Sequence, residues 1–119
     1  MRNINTVRCR KDICDKTVKN EQGENLGVIE DVVLDKVSGH IAYAVLKSGS
    51  VLGLGGKFFA LPWKMLHYDD VDECFIADIH KDRLENAPGF DKDHWPDMSN
   101  REWNTSIHSY YGSKPYWDD

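Results

Sequence analysis

Between residues 17 and 79 the apolar side chains recur mostly with the period of strands. Thr17-Val18-Lys19 predicts a short strand, and the polar run 20–24 predicts a turn. Residues 26–34 alternate. Val28, Val32 and Leu34 fall on one face, interrupted by Glu30, and Ile29 and Val33 fall on the other with Asp31 and Asp35. Lys36-Val37-Ser38-Gly39 predicts the next turn, and 41–46 is a dense β-branched and aromatic run, short enough for a buried strand. The two runs flanking Gly39 therefore predict a hairpin. Residues 57–61 read as a strand ended by Pro62, which lacks the donor a ladder needs. One short helical turn at 63–66 and an acidic turn at 69–73 follow. The last strand is 74–79, with Phe75, Ala77 and Ile79 opposite Ile76 and Asp78.

The flanks lack this period. Residues 1–15 read as an irregular arm with one helical turn near 11–14, anchored by Ile13. Residues 48–56 hold four glycines with Val51, Leu52 and Leu54 between them, which is not the composition of a polar linker. Glycines there permit positive φ and close backbone approach, so the loop is expected to pack on the body formed by the strands or on a partner. Residues 81–96 read as irregular. A helix over about 99–111 is predicted from a capping box, Ser99-Asn100-Arg101-Glu102, and from one apolar stripe, Trp103, Ile107, Tyr110 and Tyr111, with Gly112 placed to stop it.

Composition narrows the class. The chain has 119 residues, 40% apolar and 29% charged, which fits one globular domain and not a disordered segment. No apolar run approaches the length of a membrane span. An N-terminus without an apolar stretch, together with an odd count of three cysteines, leads to the expectation of a cytoplasmic chain with free thiols. Net charge is −5, which argues against general nucleic-acid binding. That charge is segregated: residues 1–68 carry +3 and residues 69–119 carry −8. A solvated acidic tail explains this, and so does a surface in which one copy's acidic tail meets another's basic arm.

Candidate chemistry is thin. Gly56-Lys57 fails as a phosphate loop because position 51 is Val and position 58 is Phe. Phe58 also replaces the third glycine of a dinucleotide fingerprint. Cys9 and Cys14 are not backed by a second ligand pair, the five histidines are scattered, and Asp91 and Asp93 lack the rest of a calcium loop. No nucleophile elbow is present. Glu30, Asp31 and Asp35 suit an exposed strand face as well as a catalytic pair. No catalytic, cofactor-binding or metal residue is therefore expected. The aromatic residues say more. Trp95, Trp103 and Trp117, with Tyr110, Tyr111 and Tyr116, either anchor a tail wrapped on the body formed by the strands or form a contact surface for another chain. The candidate interaction surface is Val51, Leu52, Leu54, Trp95, Trp103, Tyr110 and Trp117.

The central motifs resemble the PRC-barrel family. They are Gly23-x-x-Leu26-Gly27-x-Ile29-x-Asp31, Gly39-x-Ile41-x-Tyr43, and the run from Leu52 and Gly53 through Lys57-Phe58-Phe59-Ala60-Leu61-Pro62-Trp63. The resemblance covers about 11–82. The tail, Gly89-Phe90-Asp91-x-Asp93-x-Trp95-Pro96 and the helix after it, is similar to that of small stand-alone bacterial members. Asp15 stands where relatives often have glycine. The resemblance implies a mainly β fold: a small antiparallel barrel (1–82 with its arm) and a C-terminal extension (83–119) with one short helix, on the barrel or on a partner subunit. It gives Gly27, Gly39 and Gly53 to bends, turns and the loop, has Ile29, Ile41, Tyr43 and Phe59 fill the barrel, and has Pro62 and Trp63 close one end. It implies binding rather than chemistry. The expected function is a non-enzymatic interaction or assembly module that self-associates, as a dimer in the first instance, or holds another protein. The alternative is a ribosome- or RNA-linked accessory protein, supported by Arg2, Arg8, Arg10 and Lys11.

Overall fold

The computed structural model describes residues 4–48 and 56–118. A π-helical turn, Cys9–Ile13, leads into six strands: β1 (Thr17–Asn20), β2 (Asn25–Leu34), β3 (Ile41–Lys47), β4 (Phe58–Pro62), β5 (Leu66–Asp69) and β6 (Cys74–Ala77). They form one sheet in the order β4-β3-β2-β1-β6-β5. The expected antiparallel barrel needs correction, because β1 and β6 pair in parallel. β2 already occupies one edge of β1, and the β5–β6 hairpin fills the other in the opposite sense.

The sheet is curled. Only the 3-10 turn Trp63–Met65 separates β4 from β5, the two ends of the sheet. Pro62 and Leu66 are four residues apart, so their Cα atoms stand at most about 15 Å apart. In a flat sheet, five strand spacings would hold those ends about 24 Å apart. No β4–β5 ladder is found among the described residues.

Local chemistry explains the bends. The β2–β3 register shifts between Ile29 and Asp31, so Glu30 is an extra residue. That bulge reverses the alternation read from the sequence: Ile29 and Val32 pack on the same core cluster, while Val33 packs on the other. Gly27 sits at φ +141, and a Cβ there would lie 2.2 Å from the Lys47 carbonyl oxygen, so glycine is required. Asp15 adopts φ +68 with its N–H donating to Ile29 O at 2.7 Å, a left-handed position that aspartate tolerates better than most residues. In the hairpin turn the Asp35 side chain accepts from the N–H groups of Val37 and Ser38 at 2.9 and 3.1 Å.

β4 and the middle of β3 are buried on both faces. Ala44, Leu46, Phe59 and Leu61 join Leu26, Ile29 and Val18 in the principal core. Tyr43 and Ala60 pack instead with Ile107 of the C-terminal helix. The expectation that Tyr43 fills the barrel is thus corrected: strand alternation sends it to the opposite face from Ala44, and the tail covers it.

Three elements differ from the sequence reading. β5 is a strand, too short to show a period. Within the expected irregular stretch lies α1 (Lys81–Glu85), which has a single apolar residue, the fully buried Leu84. The long helix α2 (Arg101–Tyr111) starts after Asn100, whose side chain accepts from Trp103 N–H at 2.9 Å. Ser99 is not the cap, because its hydroxyl donates to Asp97 at 2.6 Å. Gly112, at φ +67, ends the helix, with Ser113 N–H on His108 O and Gly112 N–H on Ser109 O.

Candidate functional site

The tail joins the sheet at the free edge of β4. Phe58 N–H donates to Phe90 O at 2.8 Å, and Phe90 N–H donates back to Phe58 O at 2.9 Å. This approach needs Gly89: a Cβ there would lie 2.8 Å from the Phe58 carbonyl and 2.9 Å from the Phe59 ring. Trp95 then packs on both phenylalanines, with centroids 5.7 Å from Phe58 and 5.0 Å from Phe90. It stays 40% exposed. The same strand end is the root of the glycine loop, where Ser48 N–H and Oγ–H both donate to Lys57 O at 2.9 Å. Trp95 therefore stands at the Phe58 end of β4, next to the Ser48–Lys57 pair.

On the other side of β3 the tail covers a buried polar cluster. The Tyr43 hydroxyl donates to Asn104 Oδ1 and lies 3.2 Å from His108 Nε2. His108 Nε2 also accepts the Tyr116 N–H at 3.3 Å, so this imidazole is neutral with its proton on Nδ1. Nδ1 has no partner among the described residues. Burial, and next the Lys64 charge, hold the His108 pKa below the ordinary histidine value. Tyr116 Oη–H donates to Asp35 Oδ2 at 2.9 Å. The Asp35 pKa is lowered by the Ser38 and Val37 N–H groups and then by this hydroxyl, while burial and that carboxylate raise the Tyr116 pKa. Burial also raises the Tyr43 pKa. Trp103 meets Tyr43 edge-on at 5.4 Å, and Trp117 meets His108 at 5.8 Å beneath the Arg101 guanidinium.

A family model described as PRC-barrel domain matches residues 8–84, about two-thirds of the chain. The chain belongs to the PRC-barrel family. None of the curated proteins matches it. PRC-barrel domains are generally non-catalytic modules, and the family implies closure of the curled six-stranded sheet. In this PRC-barrel chain the matched span runs from the π-helical turn into α1. The Phe90 bridge, Trp95 and α2 all follow it. No helix among the described residues is long and apolar enough to cross a membrane.

The anticipated interaction residues divide into three groups. Val51, Leu52, Gly53 and Leu54 lie outside the described residues. Trp95 lies at the loop root. Trp103, Tyr110 and Trp117 are half-buried against their own chain. Tyr110 Oη–H donates to Arg83 O at 2.6 Å, and the Arg83 guanidinium covers the Tyr110 ring at 4.1 Å. Gly39 serves the hairpin turn at φ +80, Pro62 is the last residue of β4 opposite Tyr43, and Trp63 packs against Phe75. Sequence reasoning missed Asn104 and His108, which lie one and two helical steps from Asn100 on the buried face. Their i, i+4 spacing was the available signal, but a polar residue does not enter an apolar stripe.

Proposed function

We propose that this chain is a non-enzymatic interaction module that self-associates, in the simplest form as a dimer. The observation that carries the reading is the place of Trp95. It is a large, partly open ring on Phe58 and Phe90, at the root of a loop whose apolar residues are Val51, Leu52 and Leu54. Partly exposed aromatic residues beside aliphatic ones are the composition of an interface centre. The segregated charge adds a long-range attraction between unlike halves of two copies.

Sedimentation velocity against concentration and salt tests this. The expected result is a dimer at low salt that weakens as salt rises. Trp95→Ala combined with Leu52→Asp is expected to give a folded monomer. A wild-type chain that stays monomeric at the highest attainable concentration would sink the reading.

One observation favours a second reading, a ribosome- or RNA-linked accessory protein: Arg8, Arg10 and Lys11 are all exposed around the π-helical turn. Co-sedimentation with ribosomal subunits at low salt, abolished by nuclease, would support it. Absence from those fractions would dismiss it.

A further inference from the structure

Beside the 3-10 turn the barrel carries a cleft of about 730 Å³. That lies within the usual size of small-molecule sites, about 300–1,000 Å³. The arm lines one side, with Ile4 and Val7, and three aromatic rings line another, with polar and charged side chains among them. Phe75, only 6% exposed, is the floor. Trp63 packs against it with centroids 5.8 Å apart and planes 56° apart, and Tyr68 does so at 5.2 Å and 65°. The topology explains this convergence. The β5–β6 register sets Tyr68 directly opposite Phe75, and the short 3-10 turn that curls the sheet delivers Trp63 to the same place. Tyr68 remains 42% exposed.

Aromatic rings attract cations that approach their faces, and of the three rings here Tyr68 and Trp63 keep surface open to solvent. The charges at the rim have the matching sign. Asp12, Asp70 and Glu73 line the cleft against one ammonium, Lys16. These carboxylates are spread apart: among the described residues no three acidic, histidine or cysteine side chains are grouped closely enough to hold a metal ion. A diffuse cation that brings its own apolar surface suits the cleft better than a compact one needing a full set of oxygen ligands.

We propose that this cleft binds an organic cation with an apolar body, a quaternary ammonium or a guanidinium, seated against Trp63, Tyr68 and Phe75. The apolar body fills the space between the arm and the rings. The charge lies over the ring faces, and Asp70 and Glu73 exclude anions. None of the three rings belongs to the Phe58–Phe90–Trp95 cluster, so the site stands whether or not the chain self-associates.

Titration of the ¹⁵N-labelled full chain, followed by NMR, tests it with three probes. Choline represents a free quaternary ammonium, the peptide Gly-Gly-Arg-Gly-Gly represents a side chain on a protein, and 3,3-dimethylbutan-1-ol is the uncharged counterpart of choline. Saturable shifts at the Trp63 indole and the Phe75 amide are expected with at least one cation. Binding by the alcohol is expected to be weaker by about 10-fold or more. Preference for choline or for the peptide identifies the source of the cation. Tyr68→Ala, at a half-open edge-strand position, is expected to weaken cation binding several-fold with the core resonances unmoved. Asp70→Asn is expected to weaken the cations but not the alcohol. Equal binding of choline and the alcohol, binding unchanged in both variants, or no saturable shift with either cation would overturn the proposal.

Discussion

His108 is an imidazole only 2% exposed, wedged between Tyr43, Tyr116 and Trp117. Its neutral form accepts the Tyr116 N–H at Nε2, and protonation would place an unsolvated charge there. The folded pKa is therefore depressed by burial and by Lys64 below the ordinary 6.5. For a base depressed in this way the unfolded chain binds more protons over the window between the two values, so stability rises with pH through that window. Stability is expected to be full above pH 6.5 and to fall as pH drops below it. Denaturant midpoints measured from pH 7.5 downward check this, with His108→Gln expected to flatten the slope just below pH 6.5. Asp35 acts in the same sense at lower pH. Its pKa is lowered in the fold, so the stability it contributes is present above 3.8 and is lost as pH falls through the folded value.

At the scale of elements, α2 shows how a cap is chosen. Ser99 and Glu102 have the spacing of a capping box, yet Asn100 holds the Trp103 N–H while Ser99 turns back to Asp97. The Asn104 amide also donates to the Met98 and Asn100 carbonyls at 2.9 and 2.8 Å, which fixes the entry of the chain one residue later than the box implies. Asn100→Ala is expected to cost about 1 kcal/mol of stability, and Ser99→Ala a few tenths. Urea unfolding of the two variants side by side checks the assignment, and the reverse order would restore Ser99 as the cap. The β2 bulge carries a similar lesson. One extra residue at Glu30 exchanges the faces of everything after it, and alternation in a single strand cannot reveal where the extra residue sits.

At the scale of the molecule, the tail completes the second face of the sheet. β3 and β4 have apolar residues on both sides, and the barrel interior covers only one of them. Phe90, Trp103, Ile107, Tyr111 and Tyr116 cover the other, around Tyr43 and Ala60. The family match ends at residue 84, but the folding unit does not. A chain ending at Gly89 is expected to lose cooperative unfolding and to aggregate, because it would leave Tyr43, Phe58 and Ala60 open to water. Circular dichroism melting and size-exclusion chromatography of that truncation check this. A soluble truncation with an unchanged melting midpoint would show the tail to be dispensable.

Strands β1 to β4 and β6, the hairpin at Gly39, the helix ended by Gly112 and the family itself were legible in the residues, because period, turn chemistry and the run Lys57 to Trp63 are local signals. The tertiary structure decided what depends on the partner of each element. It set the parallel β1–β6 pairing, the bulge at Glu30, the outward placement of Tyr43, and the burial of Asn104 and His108. It also brought Trp63, Tyr68 and Phe75 to one cleft, and Trp95 to the root of the glycine loop. Period reports that a side chain is buried but not against what. That is settled only when the sheet curls and the tail returns along its free edge.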